Sequence, residues 1–297
     1  MLVLIDKPGQ LSNRLWAYSF FIVLALKFKI RVFIPHFQEY EKYFENLNRV
    51  RKIHFHFFSN TILNKISLKI YRKIEHKLIT WFFSNHQPIL NIHFPDYNAN
   101  PSIYKDKWKV FFINSWDQRK ETAYFSEFNN EIRQLFLPKV AIVKKVESFF
   151  SEKVLLYDVI IGVHIRKGDY KEFFNGAYYF EDSVYYRYMK DLQEEMSSYK
   201  VGFLVCSNES IEHVNFQGLN TFQLDNPNLM EDLYALSKCN FIIGPPSTFS
   251  MWASFYGNVP LRFLKYTDEV IKLLEFSPII YQNVFENKTQ FNHISLS

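Results

Sequence analysis

Short apolar runs alternate with helix-like segments along this chain, and that alternation limits the fold more than any other feature of the sequence. Five of the runs have the length and composition of strands: Leu2 to Ile5, Ile30 to Ile34, Val159 to Ile165, Val201 to Cys206 and Phe241 to Gly244. Segments of helical length follow most of them. Because strands that alternate with helices form parallel sheets covered on both faces, the sequence predicts an α/β protein.

The length of 297 residues suits two domains better than one. Hydrophobic residues make up 48% of the chain, which is ample for two packed cores. The pattern is irregular between residues 40 and 100 and becomes regular from Asp158 onward. We expect domains over residues 1–150 and 151–297, with the boundary between Lys139 and Asp158.

Composition and charge exclude several classes of protein. A net charge of +5 attracts anions, but there is no aromatic RNA-binding motif, Cys/His finger or dense basic run, so we expect no nucleic-acid partner. Cys206 and Cys239 are too few for a disulfide framework and are expected to be reduced, buried thiols. Because the N-terminus lacks a basic signal-peptide region and no apolar stretch reaches about 18 residues, we expect a cytoplasmic protein.

A basic amphipathic segment lies in the first half of the chain. Between residues 49 and 78, eight Lys and Arg residues accompany a single acid, Glu75. Apolar residues recur every four positions with lysines between them, which predicts a helix: Ile66, Ile70, Ile74 and Leu78. Either this helix packs on its own domain and leaves a solvated basic face, or residues 65–77 contact the surface of a membrane.

A polar cluster follows the apolar run Val159 to Ile165 and has the sequence His164-Ile-Arg-Lys-Gly-Asp169. Arg166 has a planar, permanently charged fork that suits a diphosphate. His164 can donate a hydrogen bond, Asp169 can orient a neighbour or accept a proton, and Gly168 permits a tight turn. The alternative is an ordinary strand end with exposed charges.

Two further loops are expected at strand ends, where open α/β sheets bind ligands. In Pro245-Pro-Ser-Thr-Phe-Ser250, Ser247 is the expected N-cap, and the amides of Thr248 and Phe249 are then free at the positive end of a helix. This loop is either an anion site or a simple helix cap. The loop Gly9 to Arg14 follows the first strand and is the weaker candidate.

Motifs of other nucleotide and metal sites are missing from the sequence. There is no Gly-x-Gly-x-x-Gly, no Gly-Lys-Ser/Thr loop, no Asp-x-Asp, no cluster at metal-ligand spacing and no Gly-x-Ser-x-Gly. A diphosphate leaving group would therefore be stabilised by arginine and helix amides rather than by Mg²⁺ or Mn²⁺. We expect neither a metal nor a cofactor.

Three blocks together resemble the alpha-1,2-fucosyltransferases and their superfamily, which includes protein O-fucosyltransferases and alpha-1,6-fucosyltransferases. The blocks are Gly9 to Leu15, Gly162 to Tyr170 and Asp232 to Trp252. The likeness covers about half the chain, mainly residues 1–35 and 158–258. Ser12 replaces the glycine that is usual before the asparagine, and Asn114 to Gln118 matches the family's acceptor segment only loosely.

The resemblance implies a B-type glycosyltransferase fold, in which two Rossmann-like domains face a cleft, the first on the acceptor side and the second binding the donor. It implies inverting, metal-independent transfer of L-fucose from GDP-fucose to a sugar hydroxyl, namely the 2-OH of a galactoside in an oligosaccharide or lipid-linked glycan. The alternatives are a transferase that uses another nucleotide sugar and a sugar-nucleotide-binding module without turnover.

The resemblance also implies roles for single residues. Arg166 would clamp the β-phosphate, His164 would support the donor, and Asp232 would meet the guanine. The phosphates and the base edge would be held by Ser247, Thr248 and Phe249. Further candidate donor contacts are Ser207, Asn208 and Arg14.

Candidates for the catalytic step are fewer. Asn13 would lie near the fucose and the attacking hydroxyl. The general base is Asp169 as first candidate or Glu172 as second; alternatively, no side chain acts as base and Asn13 orients the acceptor.

Overall fold

The computed structural model describes residues 1–55, 63–78 without 64, 68, 72 and 76, 110–118, 124–211, 216–281 and 284–285. The chain divides into two compact units, Met1–Lys139 and Val140–Ser297. The main sheet of each unit is parallel throughout, and helices connect its strands. The predicted α/β class is therefore confirmed.

The first unit contains a four-stranded sheet of order β3-β2-β1-β4. Its strands are β1 (Leu2–Leu4), β2 (Val32–Phe33), β3 (Ile53–His54) and β4 (Phe111–Ile113). Its labelled helices are α1 (Leu11–Phe28), α2 (Gln38–Glu41), α3 (Ser115–Gln118), α4 (Tyr124–Glu127) and α5 (Asn129–Leu135). The described residues between 63 and 78 are also helical, and we call them the basic helix.

Helix α1 is buried along most of its length and has apolar residues on all sides, as expected for a helix that is covered all round. It begins at Leu11, inside the segment Gly9 to Arg14 that the sequence predicts to be a loop. Ser12, Asn13 and Arg14 therefore lie in its first turn and not in a loop, which corrects the prediction. The helix ends at Phe28, because Lys29 takes a left-handed conformation with φ 54°.

The basic helix faces its own unit with Tyr71 and Glu75. The Nε2 atom of His36 lies 3.0 Å from Oε1 of Glu75, and the rings of Phe33 and Tyr71 are 6.1 Å apart. The predicted apolar stripe is instead largely exposed at Ile66 (51%), Ile70 (53%) and Ile74 (39%). The described part of the helix thus packs on its own unit through Tyr71 and Glu75 and leaves its basic face exposed, as the first alternative predicts, but the isoleucines do not make this contact. Membrane contact, the second alternative, stays a prediction.

The second unit contains a five-stranded sheet of order β7-β6-β5-β8-β9. Its strands are β5 (Val159–Ile165), β6 (Val201–Ser207), β7 (Thr221–Phe222), β8 (Phe241–Gly244) and β9 (Leu261–Phe263), and β10 (Ile279–Tyr281) forms a separate antiparallel pair with β11 (Val284–Phe285). Its helices are α6 (Val140–Lys153), α7 (Asp182–Glu195), α8 (Leu229–Leu236) and α9 (Thr248–Gly257). Short 3-10 turns span Gly168–Lys171, Phe173–Gly176 and Leu273–Glu275.

Helix α6 belongs to the second unit, so the division at Lys139 precedes it. Three buried residues line the inner face of α6 at a spacing of four: Ile142, Val146 and Phe150. Lys145 Nζ lies 2.7 Å from Glu231 Oε2 on α8. The division after Lys139 lies at the start of the predicted interval, Lys139 to Asp158, whereas a boundary at residue 150 would cut this helix.

The order of strands places a topological switch point between β5 and β8. From β5 the chain passes through β6 to β7 at one edge and then returns to β8 and β9 on the other side. The connections that follow β5 and β8 therefore diverge. In open parallel sheets, ligands bind in the crevice that such a divergence leaves outside the carboxyl ends of the strands.

Both faces of β5 are covered by helices, as its continuous apolar sequence predicts. Ile161, Val163 and Ile165 pack in one cluster with residues of α7 that include Tyr185 and Tyr188. The opposite face approaches α8 so closely that a Cβ at Gly162 would lie 2.7 Å from Leu236 Cδ2. An asparagine cap and a reciprocal glutamate bond, the capping box of Asn228 and Glu231, fix the start of α8.

Candidate functional site

The candidate site is formed by three segments at the carboxyl edge of the five-stranded sheet. Residues 166–170 follow β5, Ser207 ends β6 and Asn208 follows it, and residues 245–250 lead from β8 into the first turn of α9. The first and third segments flank the switch point. The fold therefore brings together residues that are about 80 positions apart in sequence.

Tyr170 links the two flanking segments directly. Its hydroxyl donates a hydrogen bond of 2.7 Å to the main-chain oxygen of Pro246, and its ring is buried. The guanidinium carbon of Arg166 lies 5.5 Å from the centroid of this ring, within cation–π range. Sequence reasoning did not select Tyr170; the available signal was its position directly after Asp169.

Arg166 lies at the rim of this crevice with its side chain 15% exposed. One nitrogen, Nη2, lies 3.0 Å from Oδ2 of Asp169, whose side chain is 59% exposed. The buried Nε has no hydrogen-bond partner within the described ranges. Asp169 thus holds the guanidinium through Nη2, while Nε has no hydrogen-bond partner among the described residues. A guanidinium in this state is suited to bind an anion through two of its oxygens.

His164 is buried beside Arg166 and is a neutral imidazole. Burial, with a further contribution from the Arg166 charge, lowers the pKa of His164 to about 3. Its ring lies 5.0 Å from that of Phe249, at 36°. Nδ1 is buried and has no partner among the residues that the structure describes. Two candidates from distant blocks, His164 and Phe249, are thus in contact.

The turn after Arg166 is held by side chains on both sides. Asn208 accepts a hydrogen bond from the Lys167 amide (2.8 Å) and donates one to the Lys167 carbonyl (3.4 Å). Gly168 adopts φ +58°, a region that disfavours other residues. Lys167, which sequence reasoning missed, is buried and its Nζ lies 2.8 Å from both Asp182 Oδ1 and the Phe180 carbonyl. The observed role of Asn208 is to position this turn; its donor contact stays a prediction, as does that of Ser207.

Ser247 caps α9 as the sequence predicts. Its Oγ accepts a hydrogen bond of 3.2 Å from the amide of Phe249, and Ser250 Oγ donates one of 3.1 Å to the Ser247 carbonyl. The expectation that the Phe249 amide is free is therefore wrong, because the cap itself uses it. The positive end of a ten-residue helix still faces the crevice beside Thr248.

Asp232 lies on α8, next to the end of β6. Cys206 stands opposite His164 in the strand register, and its Sγ lies 4.0 Å from the main-chain oxygen of Asp232. Burial raises the pKa of Asp232 to about 7, and the Glu231 carboxylate also raises it, whereas Cys206 and Lys145 act in the opposite direction. Its protonation therefore changes near neutral pH.

The residues predicted from the first block have local partners within their own unit. Arg14 is buried; it donates hydrogen bonds to the carbonyls of His36 (3.0 Å) and Gly9 (3.1 Å) and forms an ion pair with Glu39. Its assignment as a donor contact stays a prediction that these bonds do not support. Asn13 packs against Gly9, where a Cβ would collide with its amide.

Asp6 is a further residue that the sequence reasoning missed. Its carboxylate accepts hydrogen bonds from Ser115 N (2.7 Å), Ser115 Oγ (2.9 Å) and Trp116 N (2.9 Å). It thereby joins the loop after β1 to the segment after β4. Within the described residues, no group of three or more His, Cys, Asp and Glu side chains could hold a metal ion, and no helix is long and apolar enough to cross a membrane.

Comparison with known proteins identifies the family and the fold. The model of Glycosyl transferase family 11 matches residues 27–261, which include all site candidates of the second unit but not Asn13 or Arg14. No curated protein matches the sequence.

Solved fucosyltransferases share the fold at low sequence identity. The alpha-1,6-fucosyltransferase NodZ, from Bradyrhizobium, soaked with GDP-fucose, has a TM-score of 0.53 and 13% identity over 88% of this chain and 93% of that chain. A mutant of Arabidopsis thaliana FUT1 with GDP has a TM-score of 0.57 and 13% identity over 93% and 73%. POFUT1 with GDP-fucose has a TM-score of 0.56 and 9% identity over 89% and 97%. The implied B-type glycosyltransferase class is confirmed.

We expect the stability of the protein to depend on Asp232 between about pH 4 and about pH 7. The folded-state pKa of about 7 lies above the unfolded value of 3.8, so the folded state keeps a proton that the unfolded state releases in this window. The stabilisation is fully present below pH 3.8 and is lost as the pH rises through about 7. Urea unfolding should show the wild type losing stability relative to Asp232→Asn across that window.

The variant Asp225→Asn is the matched control for this titration, because Asp225 is an exposed carboxylate of the same unit. Its difference from the wild type should not follow the same curve. A stability difference between wild type and Asp232→Asn that stays constant from pH 4 to pH 8 would contradict the raised pKa of Asp232.

Proposed function

This chain belongs to glycosyl transferase family 11, and we propose that it transfers L-fucose from GDP-fucose to a sugar hydroxyl, with inversion and without a metal ion. The acceptor is the 2-hydroxyl of a galactoside in an oligosaccharide or a lipid-linked glycan. The proposal rests on one observation: Arg166, His164 and the N-terminus of α9 lie together at the switch point between β5 and β8.

The diphosphate is the part of the donor that this arrangement suits best. When the bond between the anomeric carbon and the β-phosphate oxygen breaks, its electron pair stays with GDP and negative charge develops there. Arg166 supplies a permanent charge, and the ten-residue helix α9 supplies the positive end of its dipole. Both groups are held by the surrounding loops before substrate binds, so little reorganisation accompanies the charge development.

The remaining candidates, Asp232, His164 and Phe249, have side chains that suit the guanine base of the donor. In its ionised form, Asp232 can accept hydrogen bonds from the N1–H and the exocyclic amine of guanine. The neutral His164 ring can both donate and accept, and the adjacent Phe249 ring offers an apolar surface for a planar base. This assignment favours a guanine nucleotide over uracil or cytosine nucleotides, which lack that pair of donors.

The acceptor hydroxyl attacks the anomeric carbon from the face opposite the departing GDP, and its proton leaves to a base or to solvent. Asp169, whose side chain is 59% exposed in the loop after β5, is the first candidate base. Glu172 is exposed two residues after the Arg166–Tyr170 segment and is the second. In the third version, Asn13 orients the acceptor and no side chain takes the proton.

We expect the purified protein to transfer fucose from GDP-fucose to lactose and to keep this activity in excess EDTA, because arginine and the helix N-terminus supply the charge stabilisation. Product formation is measured by mass spectrometry with and without the chelator. Loss of turnover in EDTA, restored by Mn²⁺, would overturn the metal-free mechanism. GDP binding without turnover on any acceptor would instead support the alternative of a sugar-nucleotide-binding module.

We expect Arg166→Ala to lower kcat at least about 100-fold, equivalent to about 3 kcal/mol, because the leaving diphosphate loses its bidentate partner. The kcat of Arg166→Lys should lie between those of the wild type and Arg166→Ala, since lysine keeps the charge but not the planar fork. Thermal unfolding with GDP, UDP, ADP and CMP should show the largest stabilisation by GDP in the wild type and a smaller one in Arg166→Ala. Near-normal turnover of folded Arg166→Ala refutes the assignment, and stabilisation by UDP alone favours another donor.

We further propose that the basic helix contacts an anionic membrane surface at the cytoplasmic face, where lipid-linked glycans are built. Support comes from its two outward stripes, because the exposed isoleucines Ile66, Ile70 and Ile74 run beside exposed lysines at positions 65, 69, 73 and 77. Each lysine near an anionic surface contributes on the order of 1 kcal/mol, and the isoleucines add apolar burial.

Sedimentation with liposomes tests the membrane contact. We expect binding to vesicles that contain phosphatidylserine, no binding to neutral vesicles, and release at high salt because the attraction is screened. The triple variant with Ile66→Ser, Ile70→Ser and Ile74→Ser should bind several-fold more weakly. Leu155→Ser, which changes an exposed apolar residue of the other unit, is the control. Equal failure to sediment with both kinds of vesicle would contradict the contact.

A further inference from the structure

A row of aromatic rings leads away from Arg166 along the segment that follows β5. The guanidinium stands over the ring of Tyr170. The ring of Tyr170 is 5.0 Å from that of Phe173, which is 4.6 Å from Phe174, and Phe174 is 6.1 Å from Tyr178. These centroid distances are those of packed aromatic pairs, so the row is continuous with the proposed diphosphate site.

Two members of this row are exposed although their type is usually buried. Tyr170 is 7% exposed, whereas Phe173 and Phe174 are 39% and 46% exposed. Single exposed apolar residues need no explanation, but two adjacent phenylalanines beside a charged crevice form a patch. Ligand sites commonly combine such aromatic surface with a few polar groups that fix orientation.

The backbone of this segment holds the two rings in place at a conformational cost. Phe174 (φ 48°) and Asn175 (φ 55°) are left-handed, and Gly176 follows with φ 76°. A left-handed phenylalanine is rare, and such conformations persist where the surroundings fix them, often at ligand sites.

Several contacts supply that fixation. The Asn175 amide bonds to the Glu172 carbonyl (3.0 Å), and the Ala177 amide bonds to the Phe174 carbonyl (3.2 Å). Both ends of the segment are also tied down, since Tyr170 is bonded to Pro246 and Lys167 to Phe180. These hydrogen bonds therefore fix the backbone that carries the exposed rings of Phe173 and Phe174.

We propose that Phe173 and Phe174 form a platform on which the sugar ring of the acceptor stacks. A galactopyranose ring presents C3–H, C4–H and C5–H on one face, and this apolar face packs on an aromatic ring while the hydroxyls at its rim stay free to react. The ring of Tyr170 connects this platform to Arg166, the residue proposed to hold the diphosphate, so an acceptor stacked on the platform lies near the donor. This inference rests on the proposed transfer reaction and names its acceptor subsite.

Steady-state kinetics with GDP-fucose and lactose test the platform. We expect Phe173→Ala and Phe174→Asn to raise KM for lactose about tenfold or more and to leave KM for GDP-fucose and the thermal shift by GDP within about twofold. Asparagine tolerates the left-handed backbone at position 174, so that variant removes the ring and keeps the loop. Phe173→Tyr should keep the wild-type KM, whereas Phe173→Leu should not, because stacking needs the flat ring.

Tyr199→Ala is the matched control, since Tyr199 is an exposed aromatic residue at the amino end of β6, the opposite edge of the same sheet. Its kinetics should equal those of the wild type. If the wild type transfers fucose but the Phe173 and Phe174 variants keep its KM for lactose, the platform is refuted and the proposed function stands. If the wild type transfers fucose to no galactoside, the proposed function fails and the platform's assigned ligand fails with it.

Discussion

The pairing of the central strand β5 with both of its neighbours is the constraint on which the rest of the second unit depends. β5 is in register with β6 over all seven of its residues and with β8 over Ile161, Gly162 and Val163. The end of β8 comes so close that a Cβ at Gly244 would lie 2.6 Å from the carbonyl oxygen of His164. Only glycine permits this approach. Five residues after Gly244, the ring of Phe249 lies 5.0 Å from the His164 ring.

The loops that extend from this sheet are fixed by hydrogen bonds and ion pairs to other segments of the unit more than by contacts within each loop. Tyr170 bonds to the loop after β8, Asn208 bonds both main-chain groups of Lys167, and Lys167 is tied to the start of α7. A typical hydrogen bond contributes about 1 kcal/mol, so no single one explains the arrangement. Together they fix the loop that carries Arg166, whose guanidinium contacts Asp169 and the Tyr170 ring within the same segment. The proposed stabilisation of a leaving group requires such a preorganised charge.

Sequence reasoning predicted those features that depend on local pattern. The strands β5, β6 and β8 and the Ser247 cap follow from apolar runs and from a residue type at a helix start, and the structure confirms them. What it missed depends on contacts between distant segments. The Tyr170–Pro246 bond spans 76 positions, and no local signal encodes it. The orientation of the basic helix was also undetermined, because periodicity defines an apolar stripe but not the surface that the stripe faces.

The two parallel sheets have equivalent switch points but opposite chemistry there. In the first unit the carboxylate of Asp6 spans from the loop after β1 to the segment after β4, so a negative group with three hydrogen bonds occupies that edge. In the second unit the same position presents the Arg166 charge, a neutral buried imidazole and a helix N-terminus. A diphosphate placed beside Asp6 would meet a like charge, whereas beside Arg166 it meets an opposite one. This difference supports the proposal that the second unit, residues 151–297 in the prediction, binds the nucleotide sugar.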